Sequence, residues 1–160
     1  MNTPLVSVII PVFNQEKWIG RCLRSLLNQT MNRAGYEIIV VDDGSKDRSD
    51  YALELFMDEI VLVKNEKNLG LPSALNKGIK RSKANYIIRV DGDDYVNEYF
   101  LFLLYEFIEQ NKYMDAVACD YLLVDNKEEV IARKNCIEDP IGCGIMFKAS
   151  HLFEIGLYDE

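Results

Sequence analysis

The sequence predicts an α/β fold, a mainly parallel sheet with helices on both faces, and three observations predict it. Over the first 110 residues, apolar β-favouring runs alternate with segments whose apolar residues recur at helical spacing. The runs are nearly continuous, the pattern of strands covered on both sides. The clearest of them end in polar or acidic loops, and in such a sheet ligands bind beyond the carboxyl ends of the strands.

The first run, Leu5-Val6-Ser7-Val8-Ile9-Ile10, reads as a parallel strand that Pro11 stops. Beyond Val12-Phe13-Asn14, the residues Trp18, Ile19, Cys22, Leu23, Leu26 and Leu27 share one helical face, with Asn14 the expected N-cap. A second strand, Tyr36 to Val41, runs into Asp42-Asp43-Gly44-Ser45, and a helix from Ser49 to Phe56 follows. Glu59 to Val63 reads as the third strand, Asn65 to Gly70 as a loop and Leu71 to Ser82 as a helix. Pro72 suits the first turn of that helix, where its missing N–H costs nothing. Tyr86 to Val90 is the fourth strand, Asp91-Gly92-Asp93-Asp94 its loop, and Asn97 to Gln110 a strongly apolar helix.

Past residue 112 the alternation ends. Ala116-Val117-Ala118-Cys119 and Val130-Ile131-Ala132 are expected as short strands joined by the polar turn Asp125-Asn126-Lys127. Gly142-Cys143-Gly144 is a loosened loop, Ile145-Met146-Phe147 a last strand, and a short helix reaches Ile155. No internal repeat or low-complexity linker interrupts the chain, so residues 1–160 are read as a single domain.

The totals narrow the function. A hydrophobic content of 49% with nine Tyr and seven Phe in 160 residues is that of a folded globular domain. A formal net charge of −8 argues against general nucleic-acid binding and requires anionic ligands to find local help from metal ions or helix N-termini. Cys22, Cys119, Cys136 and Cys143 are irregularly spaced and accompanied by one His, which excludes a zinc site and suits reduced thiols. The N-terminus lacks the pattern of a secretory leader, which makes the sequon at Asn28 incidental, and no apolar run approaches the ~20 residues that span a bilayer. A cytoplasmic protein is the expectation.

Asp91, Asp93 and Asp94 place three carboxylates within four positions at a strand end. Such a cluster repels itself unless a cation or a hydrogen-bonding ligand compensates. Mn²⁺ or Mg²⁺ prefers oxygen ligands and leaves coordination positions for substrate phosphates. The alternative is a solvated acidic turn, since Asp and Gly are ordinary turn residues. A calcium loop of the EF-hand type is excluded, because Tyr95 and Phe102 stand where acidic ligands belong.

Taken together, Val8-Ile9-Ile10-Pro11-Val12-Phe13-Asn14, Ile39-Val40-Val41-Asp42-Asp43-Gly44-Ser45, Asn68-Leu69-Gly70 with Ala74-Leu75-Asn76, and Asp91-Gly92-Asp93-Asp94 closely resemble the family 2 glycosyltransferases. The resemblance covers nearly all of the first 110 residues, and Gly144 to Glu160 is similar to the family's later segment. Leu75 stands where many members carry Arg. The resemblance implies a Rossmann-like fold of the GT-A type that binds a nucleotide sugar. It implies that Pro11 and Phe13 flank the base, that Asp43 hydrogen-bonds to it, that Asp91 or Asp93 touches the ribose, and that Asp93 and Asp94 hold the metal.

The reaction so implied is inverting attack of an acceptor hydroxyl on the anomeric carbon as the nucleoside diphosphate leaves. In the family the base comes from an Asp beyond a segment like Gly156-Leu157-Tyr158-Asp159-Glu160. No catalytic base is therefore assigned, and the chain is expected to stop short of its acceptor and base end. A UDP-sugar is the expected donor, because a carboxylate at Asp43 accepts from the N3–H of uracil and the Pro11-Val12-Phe13 loop is short. A carbohydrate or lipid-linked acceptor is expected, with peripheral association at the inner face of the membrane through the C-terminal part. The rival readings are a nucleotide-sugar-binding module without transfer activity, a dinucleotide-binding oxidoreductase and a nucleotidyltransferase. The first strand is followed by Pro11-Val12-Phe13-Asn14 instead of a Gly-x-Gly-x-x-Gly turn, which disfavours the oxidoreductase, and the basic glycine-rich phosphate loop usual in a nucleotidyltransferase is absent.

Overall fold

Strong apolar character on both faces makes β1 (Val6–Val12) the central strand. The computed structural model describes residues 3–160, so the reading of Met1 and Asn2 as free of a leader lies outside the described residues. Along the chain follow α1 (Ile19–Leu27), β2 (Tyr36–Asp42), α2 (Ser49–Glu54), β3 (Val61–Lys64), α3 (Leu71–Arg81), β4 (Tyr86–Arg89) and α4 (Phe100–Gln110). Then come β5 (Ala116–Ala118), β6 (Tyr121–Val124), β7 (Val130–Lys134), β8 (Ile145–Lys148) and α5 (Ala149–Glu154).

Six strands form one sheet in the order β3-β2-β1-β4-β8-β5. β1 pairs in parallel with β2 on one side and β4 on the other, and β3 extends the parallel part beyond β2. β8 runs antiparallel to β4, and β5 antiparallel to β8. Period-two alternation sorts the side chains. Val6, Val8, Ile10 and Val12 enter a core with Cys22, Leu23 and Leu26 of α1, Leu53 of α2, and Leu101, Leu104 and Ile108 of α4. Ile9, Ile39, Val41 and Ile87 enter a second core with Ala74, Leu75 and Ile79 of α3 and Leu152 of α5. Full burial of each such Ile, Leu or Val contributes about 1.5–3 kcal/mol, which is why the centre of the sheet, not its edges, carries the fold.

Two expectations are corrected here. Pro11 does not stop β1: the strand continues to Val12, with Pro11 opposite Val41 and Val12 opposite Asp42. Val12 faces β2 by accepting from Asp43 N at 2.8 Å, so the nitrogen of Pro11 is turned toward β4, whose pairing with β1 has ended at Arg89. The missing N–H therefore breaks no ladder bond. The second correction concerns the turn at Asp125. It joins β6 to β7 as a separate two-stranded hairpin, whereas β5 belongs to the main sheet. Tyr121–Val124 carries no strand signal of its own, because it is short and its flanking polar residues mask any period. Among the described residues, no helix is long and apolar enough to cross a membrane.

Helix α3 lies close on the sheet because Gly78 has no side chain. A Cβ there would stand 2.5 Å from Ile9 Cγ2 and 3.2 Å from Val41 Cγ2. Alanine gains about 1 kcal/mol in helix propensity, but overpacking a closed core costs about 1–3 kcal/mol. Ile9 and Val41 are fully buried and have nowhere to retreat. Gly78→Ala is expected to lower the unfolding free energy in urea by about 1–2 kcal/mol; an unchanged or raised midpoint would show that α3 can ride outward freely.

Candidate functional site

The connections diverge at β1: β2 and β3 build outward on one side, β4 and β8 on the other. The carboxyl ends of the parallel strands therefore open onto a crevice at this switch point. A cleft of about 370 Å³ lies there, lined by Pro11, Val12, Phe13 and Gln15 from the end of β1, Asp43 after β2, Asn68, Leu71 and Ala74 from the start of α3, and Arg89, Asp91 and Asp93 from β4 and its loop. Pro11, Phe13, Asp43, Asp91 and Asp93, far apart in sequence, thus meet in one cavity. Asp94 lies beside it and turns toward Cys143.

The loops after β1 and β2 hold each other. Asn14 N donates to Ser45 Oγ at 3.0 Å, Gln15 N to Ser49 Oγ at 2.9 Å and Glu16 N to Asp47 Oδ2 at 2.9 Å. In return Lys46 N donates to Asn14 Oδ1 at 2.8 Å and Arg48 N to Glu16 Oε2 at 2.7 Å. Asn14 is therefore not the N-cap of α1. It sits at a left-handed φ of 56°, a conformation Asn tolerates, and spends its side chain on the opposite loop, while Trp18 occupies the cap position.

Asp43 is 3% exposed and organises the approach to α3. Its Oδ1 accepts from Asn65 Nδ2 at 2.6 Å and from Leu69 N at 2.9 Å; its Oδ2 accepts from the same Leu69 N at 3.0 Å and from Gly70 N at 2.8 Å. Three donors thus hold the carboxylate through four contacts, the Leu69 N–H being shared between its two oxygens. Gly44 makes this approach possible: at φ 74° a Cβ would stand 2.6 Å from the carbonyl carbon of Lys67.

Asp91 and Asp94, neighbours in sequence, differ in electrostatics. Arg89 clamps Asp91 with two bonds, Nε to Oδ1 at 2.6 Å and NH2 to Oδ2 at 2.8 Å. Asp94 has no ion pair among the described residues; although the residue is exposed, partial desolvation of its carboxyl first of all holds it above the usual range, opposed by a hydrogen bond with Cys143, with Asp93 and Asp91 adding repulsion. Asp93 is tied through its backbone: its carbonyl accepts from Arg21 NH2 at 2.9 Å. The guanidinium of Arg21 is in turn stacked 4.3 Å from the Tyr95 ring and 5.2 Å from that of Trp18.

Ligand oxygens of Asp91 and Asp94 and the Cys143 sulfur all lie within 4.8 Å of one another. Burial pushes the Cys143 thiol far above its ordinary pKa, so it stays protonated and does not suit a hard cation. The carboxylates do suit Mn²⁺ or Mg²⁺, and a cation would relieve the repulsion that raises Asp94. Leu75, at 2% exposure, packs in the second core. The sequence assigns no individual role to Gln15, Asn68 or Arg89, although Asn68 stands in the motif Asn68-Leu69-Gly70 and Arg89 is a lone charge inside the apolar run Tyr86 to Val90.

Comparison with known proteins bears on this cleft. The chain matches the family described as Glycosyl transferase family 2 over residues 7–148. It is 45% identical over 123 residues to the uncharacterized glycosyltransferase EpsJ of Bacillus subtilis (strain 168), a match covering 74% of this chain and 34% of that protein. Its fold matches S. aureus TarS 1-349 in complex with UDP-GlcNAc with a TM-score of 0.82 at 24% identity, covering 98% of this chain and 48% of that one. It also matches the mannosyltransferase PcManGT from Pyrobaculum calidifontis in complex with GDP-Man and Mn²⁺, with a TM-score of 0.78 at 21% identity, covering 99% and 48%. At these identities the structural likeness concerns the fold, which is of the GT-A type. The chain spans about a third of the Bacillus protein and about half of each solved structure.

The charge arrangement yields a signed prediction. A carboxyl whose folded pKa lies above its unfolded value, near 4, contributes stability that is present below that value and lost as pH rises through the folded one. With chelator present, Asp94→Asn is therefore expected to raise the thermal midpoint at pH 7.5 and to leave it unchanged at pH 3.5. Mn²⁺ should raise the midpoint of the parent more than that of the variant. A difference between parent and variant that is the same at both pH values would refute this account of Asp94.

Proposed function

This chain belongs to glycosyl transferase family 2, and from that premise we propose that its cleft binds a nucleotide-diphosphate sugar, with UDP-sugar preferred, for inverting transfer to an acceptor hydroxyl. The observation that carries the reading is the meeting of the three strand-end loops around one cleft, with the Asp43 carboxylate in its lining. In this reading Pro11 and Phe13 flank the base; Phe13 is 43% exposed at the cleft wall, free to stack on a ring. The Asp43 carboxylate accepts the N3–H of uracil. Asp91 or Asp93 accepts from the ribose. The acceptor is a carbohydrate or lipid-linked glycan, as in polysaccharide or glycolipid synthesis.

Asp93 and Asp94 would hold Mn²⁺ or Mg²⁺, which supplies neutralisation of charge on the departing diphosphate; Asp91, whose oxygens lie near those of Asp94, is already paired with Arg89. The remaining work falls to the chain itself. The interlocked loops after β1 and β2 keep the base-binding wall in place before the donor arrives, and Arg21 steadies the backbone of the Asp93 turn. Such preorganisation removes ordering cost from the binding step. The structural neighbours support the donor class, because TarS was solved with UDP-GlcNAc and PcManGT with GDP-Man and Mn²⁺.

Two measurements test the reading. Competition among UDP, dTDP, GDP and CDP at fixed Mn²⁺ is expected to show CDP about 10–100-fold weaker than UDP, since neutral cytosine presents an acceptor to the Asp43 anion. Asp43→Ala should flatten that preference; because Asp43 also holds Leu69 and Gly70, its thermal midpoint is measured alongside. Equal binding of CDP and UDP by the parent would remove Asp43 from base recognition. Calorimetric titration of UDP with Mn²⁺ and with chelator, on the parent and on Asp93→Asn and Asp94→Asn, checks the metal. Equal affinity in every case would overturn its assignment.

A further inference from the structure

We propose that Arg89 is a positioning residue that withholds Asp91 from the metal ion and presents it instead as a fixed acceptor for a donor hydroxyl; this rests on the nucleotide-sugar reading above. The guanidinium takes one acceptor site on each oxygen of Asp91, at 2.6 and 2.8 Å. Each oxygen keeps a second site, so the clamped carboxylate still accepts hydrogen bonds from a ligand. Its anionic charge is already matched by a neighbouring cation, which weakens it as a ligand for a divalent ion. Asp94, with no such partner, remains the group that most needs a cation.

The clamp is built into the fold. Arg89 sits at the end of β4, its side chain 18% exposed, and its carbonyl accepts from Gly144 N at 2.9 Å. Gly142 leaves room for the guanidinium, because a Cβ there would stand 2.8 Å from Arg89 NH1. Arg89 also lines a small apolar cavity together with Ile9, Ile87 and Phe147. Arginine is required for the two-bond geometry; lysine supplies the charge as a single point.

A merely structural role for Arg89 would lower metal and donor affinity together, whereas withholding predicts opposite signs. Arg89→Met frees Asp91 to join Asp94 around the ion and removes a nearby positive charge. Binding of Mn²⁺ alone, followed by the electron paramagnetic resonance of the free ion, is expected to tighten roughly three- to tenfold. UDP affinity at saturating Mn²⁺ is expected to weaken roughly tenfold. Arg89→Met combined with Asp91→Asn should return Mn²⁺ affinity to the parent value, and Arg89→Lys should lie between parent and Arg89→Met for both ligands. Circular dichroism verifies folding; if Arg89→Met is unfolded, Arg89→Lys carries the test, with the same opposed signs at smaller size. Loss or constancy of Mn²⁺ affinity in the folded variants, or no Mn²⁺ binding by the parent, overturns the inference. A parent that binds Mn²⁺ but no UDP overturns the nucleotide-sugar reading, while a parent that binds both with a variant that fails the sign test overturns only the role of Arg89.

Discussion

The constraint on which the rest depends is that β1 is buried on both faces. A strand whose even-numbered residues face one core and whose Ile9 faces another must carry helices on each side. That requirement sends the chain first to one edge of β1, through β2 and β3, and then across to β4. The reversal leaves the ends of β1 and β4 unsealed. The cleft is thus a consequence of how the core is covered, and its position would survive many changes in the residues that line it.

What lines the cleft is polar backbone that leaves the sheet without entering a helix, and each such group needs a partner. The loops after β1 and β2 solve this together by exchanging backbone N–H groups for side-chain oxygens of Asn14, Glu16, Ser45, Asp47 and Ser49. The run before α3 solves it through Asp43, which gathers Asn65, Leu69 and Gly70. One carboxylate therefore closes this loop from within. A cleft wall held by internal hydrogen bonds is ordered without a ligand, and under the proposed function that wall would receive the base.

The acidic loop after β4 follows a different logic. Three carboxylates in close sequence are separated by the company each keeps: a bidentate arginine for Asp91, a backbone tie to Arg21 for Asp93, and a protonated thiol for Asp94. The pairing of Asp91 with arginine makes carboxylates of one residue type electrostatically unequal, and under the proposed function the unpaired ones would attract the cation.

The sequence by itself determined the alternation of strands and helices, because long apolar runs and helical spacing are local signals that survive without coordinates. It also placed Phe13, Asp43 and the aspartates from Asp91 to Asp94 directly after those runs, at the strand ends where the cleft lies. Only the tertiary structure decided what each group does with its neighbours. Pro11 continues a strand because its nitrogen faces the side where pairing with β4 has ended, and Asn14 caps a loop 32 residues away instead of its own helix. Tyr121–Val124 became a hairpin strand through pairing with β7, which no local period announces. Arg89 is a lone charge in an apolar run, and only the structure shows its pairing with Asp91 and the space left for it by Gly142. Hydrophobic period is written along the chain, whereas ion pairs and hydrogen-bond partners are set by which loops the sheet brings side by side.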